Sequence, residues 1–149
     1  MPKKKKLQTL LKELETIVNK YIRLRDYGKP CISCSEYKEL EAGHFYPVHG
    51  YKGLRYDEDN IHGECARCNR FDESHLIGYT QNLPDRIGET DFKALQKRAE
   101  EYKRGELINR YYFKSKYDRT EIEEMIKEYK EKVKRIKRET PSPTARSFL

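Results

Sequence analysis

Two segments of identical spacing hold all four cysteines of the chain, Cys31-Ile32-Ser33-Cys34 and Cys65-Ala66-Arg67-Cys68. In a reducing compartment, two CxxC pairs are typical of a tetrahedral zinc site with four thiolate ligands. Two disulfides are the alternative, which a reducing compartment disfavours. Because four thiolates complete the coordination of zinc, no position stays open for water, and such an ion stabilises the fold without entering catalysis. The sequence therefore predicts a structural zinc site.

The composition indicates an intracellular protein with a small core. Hydrophobic residues make up 36% of the 149 residues and charged residues 38%. A chain this polar buries little apolar area, so a bound metal would add stability that the core alone supplies poorly. The sequence has no apolar run of transmembrane length, and its first six residues are not followed by the apolar segment of a signal peptide. We therefore expect a cytoplasmic protein with no membrane partner.

Charge is distributed unevenly, with basic ends around an acidic centre. The net charge of +7 divides into +6 for residues 1–30, −5 for residues 31–90 and +6 for residues 91–149. Basic flanks suit a polyanion such as nucleic acid, and an acidic centre suits a divalent cation. Lys-rich helices that are simply solvated are the alternative. The charge pattern by itself leaves both explanations open.

Apolar residues at helical spacing predict three long helices. The first runs from about Leu7 to Arg25. The second begins at Thr90 or Asp91, and the last begins with a capping box formed by Thr120 and Glu123. The apolar stripes on the first and last helices would either close the core of a monomer or form a dimer interface.

The middle of the chain has the signals of short strands followed by a helix. β-like pieces occur around Leu40 and over residues 42–48, with turn signals after them. A helix is expected to begin near Cys65 or Cys68 and to carry Asn69 on its first turn. The first cysteine pair would then lie on a knuckle, the tight turn formed by residues 31–34, and the second pair at the start of a helix.

Three polar residues between and after the cysteine pairs are those that a hydrolase would use. His44 follows Gly43 in an alternating, strand-like segment. Asn60 lies five residues before the second pair, and Asn69 directly follows that pair. A single histidine in such a segment is more often structural. The presence of two asparagines near the predicted metal site favours a catalytic role for His44.

Five segments together carry a pattern known from other proteins. They are Tyr21-Ile22-Arg23-Leu24-Arg25-Asp26, Cys31-Ile32-Ser33-Cys34, Glu41-Ala42-Gly43-His44-Phe45, Leu54-Arg55-Tyr56-Asp57-Glu58-Asp59-Asn60-Ile61-His62-Gly63-Glu64-Cys65 and Cys68-Asn69-Arg70-Phe71. Around the cysteines this pattern resembles the HNH motif of His-Me finger (ββα-metal) nucleases. More closely, the chain resembles the phage lambda NinG/Rap recombination endonuclease family over about residues 10–135, most sharply over residues 21–71.

The resemblance implies a role for each of the three polar residues. His44 would be the general base that takes a proton from the attacking water, since the unperturbed pKa of imidazole lies near working pH. Asn60 would hydrogen-bond within the loop and orient His44. Asn69 would be a ligand of a catalytic Mg²⁺ or Mn²⁺ ion, which stabilises the charge on the leaving 3′ oxygen.

Gly43 departs from the family pattern. Many HNH nucleases have an Asp or His metal ligand directly before the base, where this chain has glycine. The missing ligand must then come from elsewhere, and the candidates, in order, are His62 and Glu41, followed by Asp57 and Asp59. As a neighbour of the zinc pair, His62 could instead orient other groups.

Basic residues near the predicted site are candidates for contacts with the DNA backbone. They are Arg23, Arg25, Arg67 and Arg70. Backbone donors at the start of a helix would also favour phosphate near the second cysteine pair. His49 and His75 have no partner pattern, and the sequence assigns them to the surface.

The resemblance implies an α+β fold, a zinc-stapled ββα-metal (HNH) core with helical extensions at both ends. Four segments are expected. They are a basic amphipathic helix over residues 1–27, a zinc-bound nuclease core over 28–82, a helical extension over 83–139 and a disordered tail over 140–149.

The expected function is metal-dependent endonuclease activity on branched recombination intermediates, namely Holliday junctions and D-loops. A homodimer would place two active sites across a junction. Two alternatives stay open. A non-catalytic zinc module would bind nucleic acid without cutting it, and an HNH nuclease could act on ordinary duplex DNA. If a phage encodes the protein, its location is the cytoplasm of the bacterial host.

Overall fold

Four α-helices and two small antiparallel sheets form the part of the chain that the computed structural model describes, residues 3–139. The elements are α1 (Leu7–Arg25), β1 (Leu40–His44), β2 (Ile61–Cys65), α2 (His75–Ile87), α3 (Glu89–Lys103), β3 (Tyr112–Phe113), β4 (Lys116–Tyr117) and α4 (Arg119–Glu139). Short helical turns lie at Lys52–Leu54, Glu58–Asn60 and Arg67–Phe71. The predicted α+β class is confirmed. The tail expected over residues 140–149 lies outside the described residues.

The first and last helices pack their apolar faces against each other. Leu14, Val18 and Ile22 of α1 are fully buried, and so is Ile122 of α4. These faces close the core of a single chain, which is one of the two roles that the sequence left open. A homodimer would have to use another surface. Among residues 3–139, no helix combines the length and the apolar character needed to cross a membrane.

The starts of α3 and α4 differ slightly from the expected ones. The helix α3 begins at Glu89, before both residues expected to cap it. The helix α4 is preceded by Asp118, whose carboxylate accepts a hydrogen bond of 3.0 Å from the backbone N–H of Glu121. The expected cap Thr120 already lies inside the helix. Asp118 serves instead, because the capping side chain belongs to the residue just before the first turn and accepts from a backbone N–H of that turn.

The two strands beside the cysteines sort the polar side chains onto two faces. In the antiparallel pair of β1 with β2, Gly43 lies opposite His62, and Glu41 lies opposite Glu64. Because alternate residues of a strand point to opposite faces, these four residues share one face of the sheet. His44 lies on the other face, at the last position of β1.

The segment after the second cysteine pair is not the continuous helix that the sequence predicted. A single π-helical turn, Arg67–Phe71, carries Asn69, and α2 begins only at His75. The turn ends at Asp72, where the backbone becomes extended. The Asp72 carboxylate then accepts hydrogen bonds from the backbone N–H and the hydroxyl of Ser74, at 2.9 and 2.7 Å. This local Asx turn interrupts the helix, because it offers the backbone a competing partner.

The helix α2 packs closely against the first cysteine pair and β1. A Cβ on Gly78 would overlap the backbone oxygen of Ser33, so only glycine allows this approach. Asn82 donates a hydrogen bond of 2.8 Å to the Ile32 carbonyl. The hydroxyl of Tyr79, a fully buried residue of α2, donates to the Gly43 carbonyl at 2.7 Å. The helix therefore fixes the knuckle relative to the strand that leads to the candidate site.

Gly78→Ala should destabilise the protein by about 1–3 kcal/mol, because the added methyl group forces helix and knuckle apart. An alanine inside an exposed helix would ordinarily be stabilising relative to glycine, so the sign of the change is diagnostic. Denaturant unfolding measures the effect. Gln81→Ala, at an exposed position of the same helix, is the control and should stay within about 0.5 kcal/mol of the original protein. Equal or greater stability of Gly78→Ala would contradict the close approach.

Candidate active site

The four cysteine sulfurs form one cluster, as the sequence predicted. The Sγ atoms of Cys31, Cys34, Cys65 and Cys68 all lie within 4.8 Å of one another. Those of Cys34 and Cys65 are 3.9 Å apart, and sulfurs bound at about 2.3 Å to a tetrahedral zinc are separated by roughly 3.8 Å. None of the four cysteines is part of a disulfide in this structure. The cluster could therefore bind a metal such as zinc.

Local backbone structure brings the cysteines together. Ser35 has a left-handed conformation, with φ of 64°, which folds the chain back so that its N–H donates to the Cys31 carbonyl at 2.9 Å. Cys65 is the last residue of β2, and its N–H donates to the Sγ of Cys31 at 3.3 Å. Cys68 lies in the π-helical turn. A knuckle, a strand end and a helical turn thus supply the four sulfurs.

Asn60 holds the loop between β1 and β2 closed. Its side chain is fully buried. Its Oδ1 accepts a hydrogen bond of 2.8 Å from the backbone N–H of Tyr46, and its Nδ2 donates to the carbonyls of Tyr46 and Leu54 at 3.0 and 3.2 Å. All three partners are backbone groups, so Asn60 fixes the path of the loop.

His44 is held by the same loop. Its Nε2 lies 2.9 Å from the carbonyl oxygen of Arg55, the neighbour of Leu54. A carbonyl only accepts, so Nε2 carries the proton, and the Nδ1 of the neutral ring has the free lone pair. Burial lowers the pKa of His44 below its ordinary value, although the hydrogen bond to Arg55 opposes that effect. His44 is therefore a neutral, oriented imidazole at neutral pH.

Asn69 and Glu41 lie together on the other face of β1. The Nδ2 of Asn69 donates to Oε1 of Glu41 at 3.0 Å, and Nε of Arg70 donates to the same oxygen at 2.9 Å. Partial burial raises the pKa of Glu41, but the hydrogen bonds from Asn69 and Arg70 outweigh it and leave this pKa below its usual range. The Oδ1 of Asn69 turns toward Gly43, 3.1 Å from the place that a Cβ would take there.

Glu64 is a residue of this site that sequence reasoning missed. It is fully buried, and its Oε2 accepts hydrogen bonds from the hydroxyl of Ser33 and, over 2.7 Å, from Nδ1 of His75. Its Oε1 is buried without a hydrogen-bond partner among the described residues. The assignment of His75 to the surface is therefore wrong. A glutamate between Gly63 and Cys65 in an otherwise buried strand was the available signal.

The other predicted ligands are engaged by other partners. His62 is buried, its Nδ1 accepts from Arg25 at 3.1 Å, and its Nε2 donates to the Asp59 carbonyl at 3.0 Å. Burial and the charge of Arg25 lower the pKa of His62 to about 4. Asp57 and Asp59 form ion pairs with Arg98 at 2.7 and 3.3 Å. Both ring nitrogens of His62 are therefore engaged by protein groups.

The arginines expected to contact DNA divide into two groups. Arg25 donates to Asp26 at 2.8 and 3.0 Å and to the Ile61 carbonyl at 2.7 Å. A DNA contact at this residue stays a prediction. Its guanidinium is used inside the protein, since Asp26 is a fully buried carboxylate that needs a charged partner. The others are Arg23, half-buried, and Arg67 and Arg70, exposed.

Fold and site together define a small α+β protein with a four-cysteine cluster that could hold a metal. The sequence model of the family described as "Bacteriophage Lambda NinG protein" matches residues 2–139, so the chain belongs to the NinG family. Among its relatives are the proteins named ninG of Escherichia phage 933W, 38% identical over 81 residues, of Salmonella phage P22, 39% over 80, and of Escherichia phage lambda, 37% over 81.

These matches are partial on both sides. They cover 52–53% of this chain and 39–40% of the relatives, so the matched stretch spans less than half of their length. No solved structure matches the chain.

Proposed function

We propose that this protein is a metal-dependent endonuclease that cleaves branched DNA recombination intermediates, Holliday junctions and D-loops, by phosphodiester hydrolysis. The observation that carries the proposal is the state of His44, a neutral imidazole whose Nε2 is held by the Arg55 carbonyl and whose Nδ1 keeps its lone pair. The ends of the chain, with a net charge of +6 each, support a polyanionic substrate.

In this proposal, Nδ1 of His44 takes the proton of the attacking water. The hydrogen bond from Nε2 to the Arg55 carbonyl becomes charge-assisted as the ring gains its proton, so it stabilises the cationic ring. Asn60 acts on the same step indirectly, since it fixes the Leu54 carbonyl next to Arg55. The chain thus holds the base in one tautomer and one orientation before the substrate arrives.

The residues present fit a divalent cation at the other face of β1. Asn69 offers an amide oxygen there, next to the carboxylate of Glu41, and oxygen atoms are the donors that Mg²⁺ and Mn²⁺ prefer. When bound, the ion would supply positive charge to the scissile phosphate and the leaving oxygen. Because β1 ends at His44, a phosphate lying across the end of the strand could reach both faces. Arg70 and Arg23 lie close enough to Glu41 to lower its pKa, and would contact the DNA backbone there.

Zinc at the cysteine cluster would have a different task. Four sulfur ligands leave no open position, so zinc would stabilise the fold and supply no chemistry. The strands β1 and β2 with the turn at Arg67–Phe71 would form the ββα-metal core. The relatives are phage proteins, and we accordingly place the activity in the cytoplasm of a bacterial host.

One observation favours a second function. The helix that should follow the cysteine cluster is interrupted at Asp72, and this departs from a continuous ββα arrangement. A zinc module that binds nucleic acid without cutting it would tolerate that interruption, since such binding needs basic residues and no metal-bound phosphate.

The test is cleavage of a labelled four-way junction by the zinc-loaded protein, with Mg²⁺ present or left out. Omitting Mg²⁺ is better than adding a chelator, which would also remove zinc. A linear duplex of the same sequence is compared at equal salt, because non-specific affinity depends steeply on salt. We expect Mg²⁺-dependent nicks in the junction. Binding of the junction without nicks would support the zinc module, and equal cutting of both DNAs would support a nuclease for ordinary duplex.

A further inference from the structure

One carboxylate oxygen of Glu64, Oε1, has no hydrogen-bond partner among the described residues. Glu64 is fully buried, and a buried carboxylate oxygen without a partner costs several kcal/mol unless something compensates its charge. Its other oxygen is engaged by Ser33 and His75. These two contacts anchor the carboxylate, so Oε1 is held in one direction. That direction is toward Gly43, where an added Cβ would overlap it.

A second oxygen faces the same place. The Oδ1 of Asn69 lies 3.1 Å from the position of the missing Cβ of Gly43. The orientation of this amide is set by its Nδ2, which donates to the Glu41 carboxylate. Two acceptor oxygens therefore converge on the side of β1 where Gly43 has no side chain. Acceptors that face each other repel, and a cation between them removes the repulsion.

We propose that Glu64 is a direct ligand of a divalent cation of the Mg²⁺ or Mn²⁺ class, bound together with Oδ1 of Asn69 beside Gly43. The inference rests on the proposed function, because Glu64 would supply the metal ligand that a glycine at position 43 cannot provide. The carboxylate comes from β2 instead of from the position before His44. Glycine at position 43 is then required, since any side chain there would fill the site.

The same geometry assigns different tasks to the neighbours. Glu41 is paired with Arg70, and by accepting from Nδ2 of Asn69 it turns Oδ1 of that amide toward the cation. His75 and Ser33 orient Glu64. They are positioning residues of the kind that commonly support metal ligands. Ser33 also lies between two of the cysteines, so folding around zinc would complete the second site.

Mn²⁺ binding to the zinc-loaded protein without DNA tests the proposal, measured by the loss of the electron paramagnetic resonance signal of free Mn²⁺. We expect Glu64→Gln to weaken binding at least about 100-fold, since even residues that only support a ligand change affinity about 10–100-fold. Glu73→Gln removes one negative charge from an exposed position and should bind as the original protein does. Mn²⁺ should raise the melting temperature of the original protein and leave that of Glu64→Gln unchanged.

Zinc content and melting temperature without Mn²⁺ show whether Glu64→Gln folds. If it does not, Asn69→Ala carries the test, because Asn69 is half-exposed, and it should weaken Mn²⁺ binding at least about tenfold. Unchanged binding by folded Glu64→Gln, or no binding by the original protein at millimolar Mn²⁺, overturns the proposal. If Glu64-dependent Mn²⁺ binding is found and no junction is cut, this site stands and the proposed nuclease function fails.

Discussion

Loss of the zinc ion that we propose for the cysteine cluster should unfold the centre of the molecule. Apparent binding free energies of structural zinc are about 10–16 kcal/mol, whereas whole domains are stable by only about 5–15 kcal/mol. The sulfurs tie the knuckle to β2 and to the turn that carries Asn69. Cys68→Ser, or a zinc chelator, should therefore abolish cooperative unfolding of this region, as measured by circular dichroism together with zinc content.

The controls for this prediction separate zinc from its alternatives. Lys38→Ala, at an exposed position close after the knuckle, should keep both zinc and stability. The double variant Cys31→Ser with Cys65→Ser should be no less stable than either single variant, because the first substitution already releases the metal. A protein that resists a chelator but unfolds when a thiol reductant is added would contain disulfides instead.

Local patterns in the sequence were sufficient for the long helices and the cysteine cluster. The stripe containing Leu14, Val18 and Ile22 repeats with the period of a helix, so it predicts α1 without any knowledge of its partner. The spacing of the two CxxC pairs likewise predicts that their four sulfurs lie together. The interruption at Asp72 was not predicted. The Asp72 carboxylate accepts from the backbone N–H of Ser74, and the residue types alone do not show that this contact replaces the helical one.

The candidate site was harder to predict because its contacts join distant parts of the chain. Arg25 has the sequence context of a DNA contact, yet the fold places it against His62, 37 residues away. Glu64 gains its role only from the register of β1 with β2 and from the empty space at Gly43. His75 has no local signal at all, since it reaches Glu64 only because α2 packs on the knuckle.

His44→Ala should lower the rate of junction cleavage by about 10²–10⁴-fold, the usual contribution of a general base. Affinity for the junction should stay nearly unchanged, because we expect the phosphate contacts to come from basic residues elsewhere on the surface. Single-turnover cleavage and a binding assay at equal salt measure the two quantities. His49→Ala is the matched control, since His49 is an exposed histidine on the loop that follows β1. Cleavage by His44→Ala at the original rate would place the base elsewhere.

The pH dependence of cleavage tests the same role of His44, because the direction of its pKa shift sets the direction of the change. Burial lowers the pKa of His44 below its ordinary value of 6.5, and only the neutral ring can accept a proton. Cleavage should therefore persist below pH 6.5 and fall as the pH drops through the folded-state pKa of His44. The residual cleavage of His44→Ala should lack this acidic limb, whereas His49→Ala should retain it. The unfolded chain, in which His44 has its ordinary pKa, takes up the proton first, so stability should decline as the pH falls from about 6.5 toward the folded-state pKa. Melting curves at each pH then separate lost folding from lost catalysis.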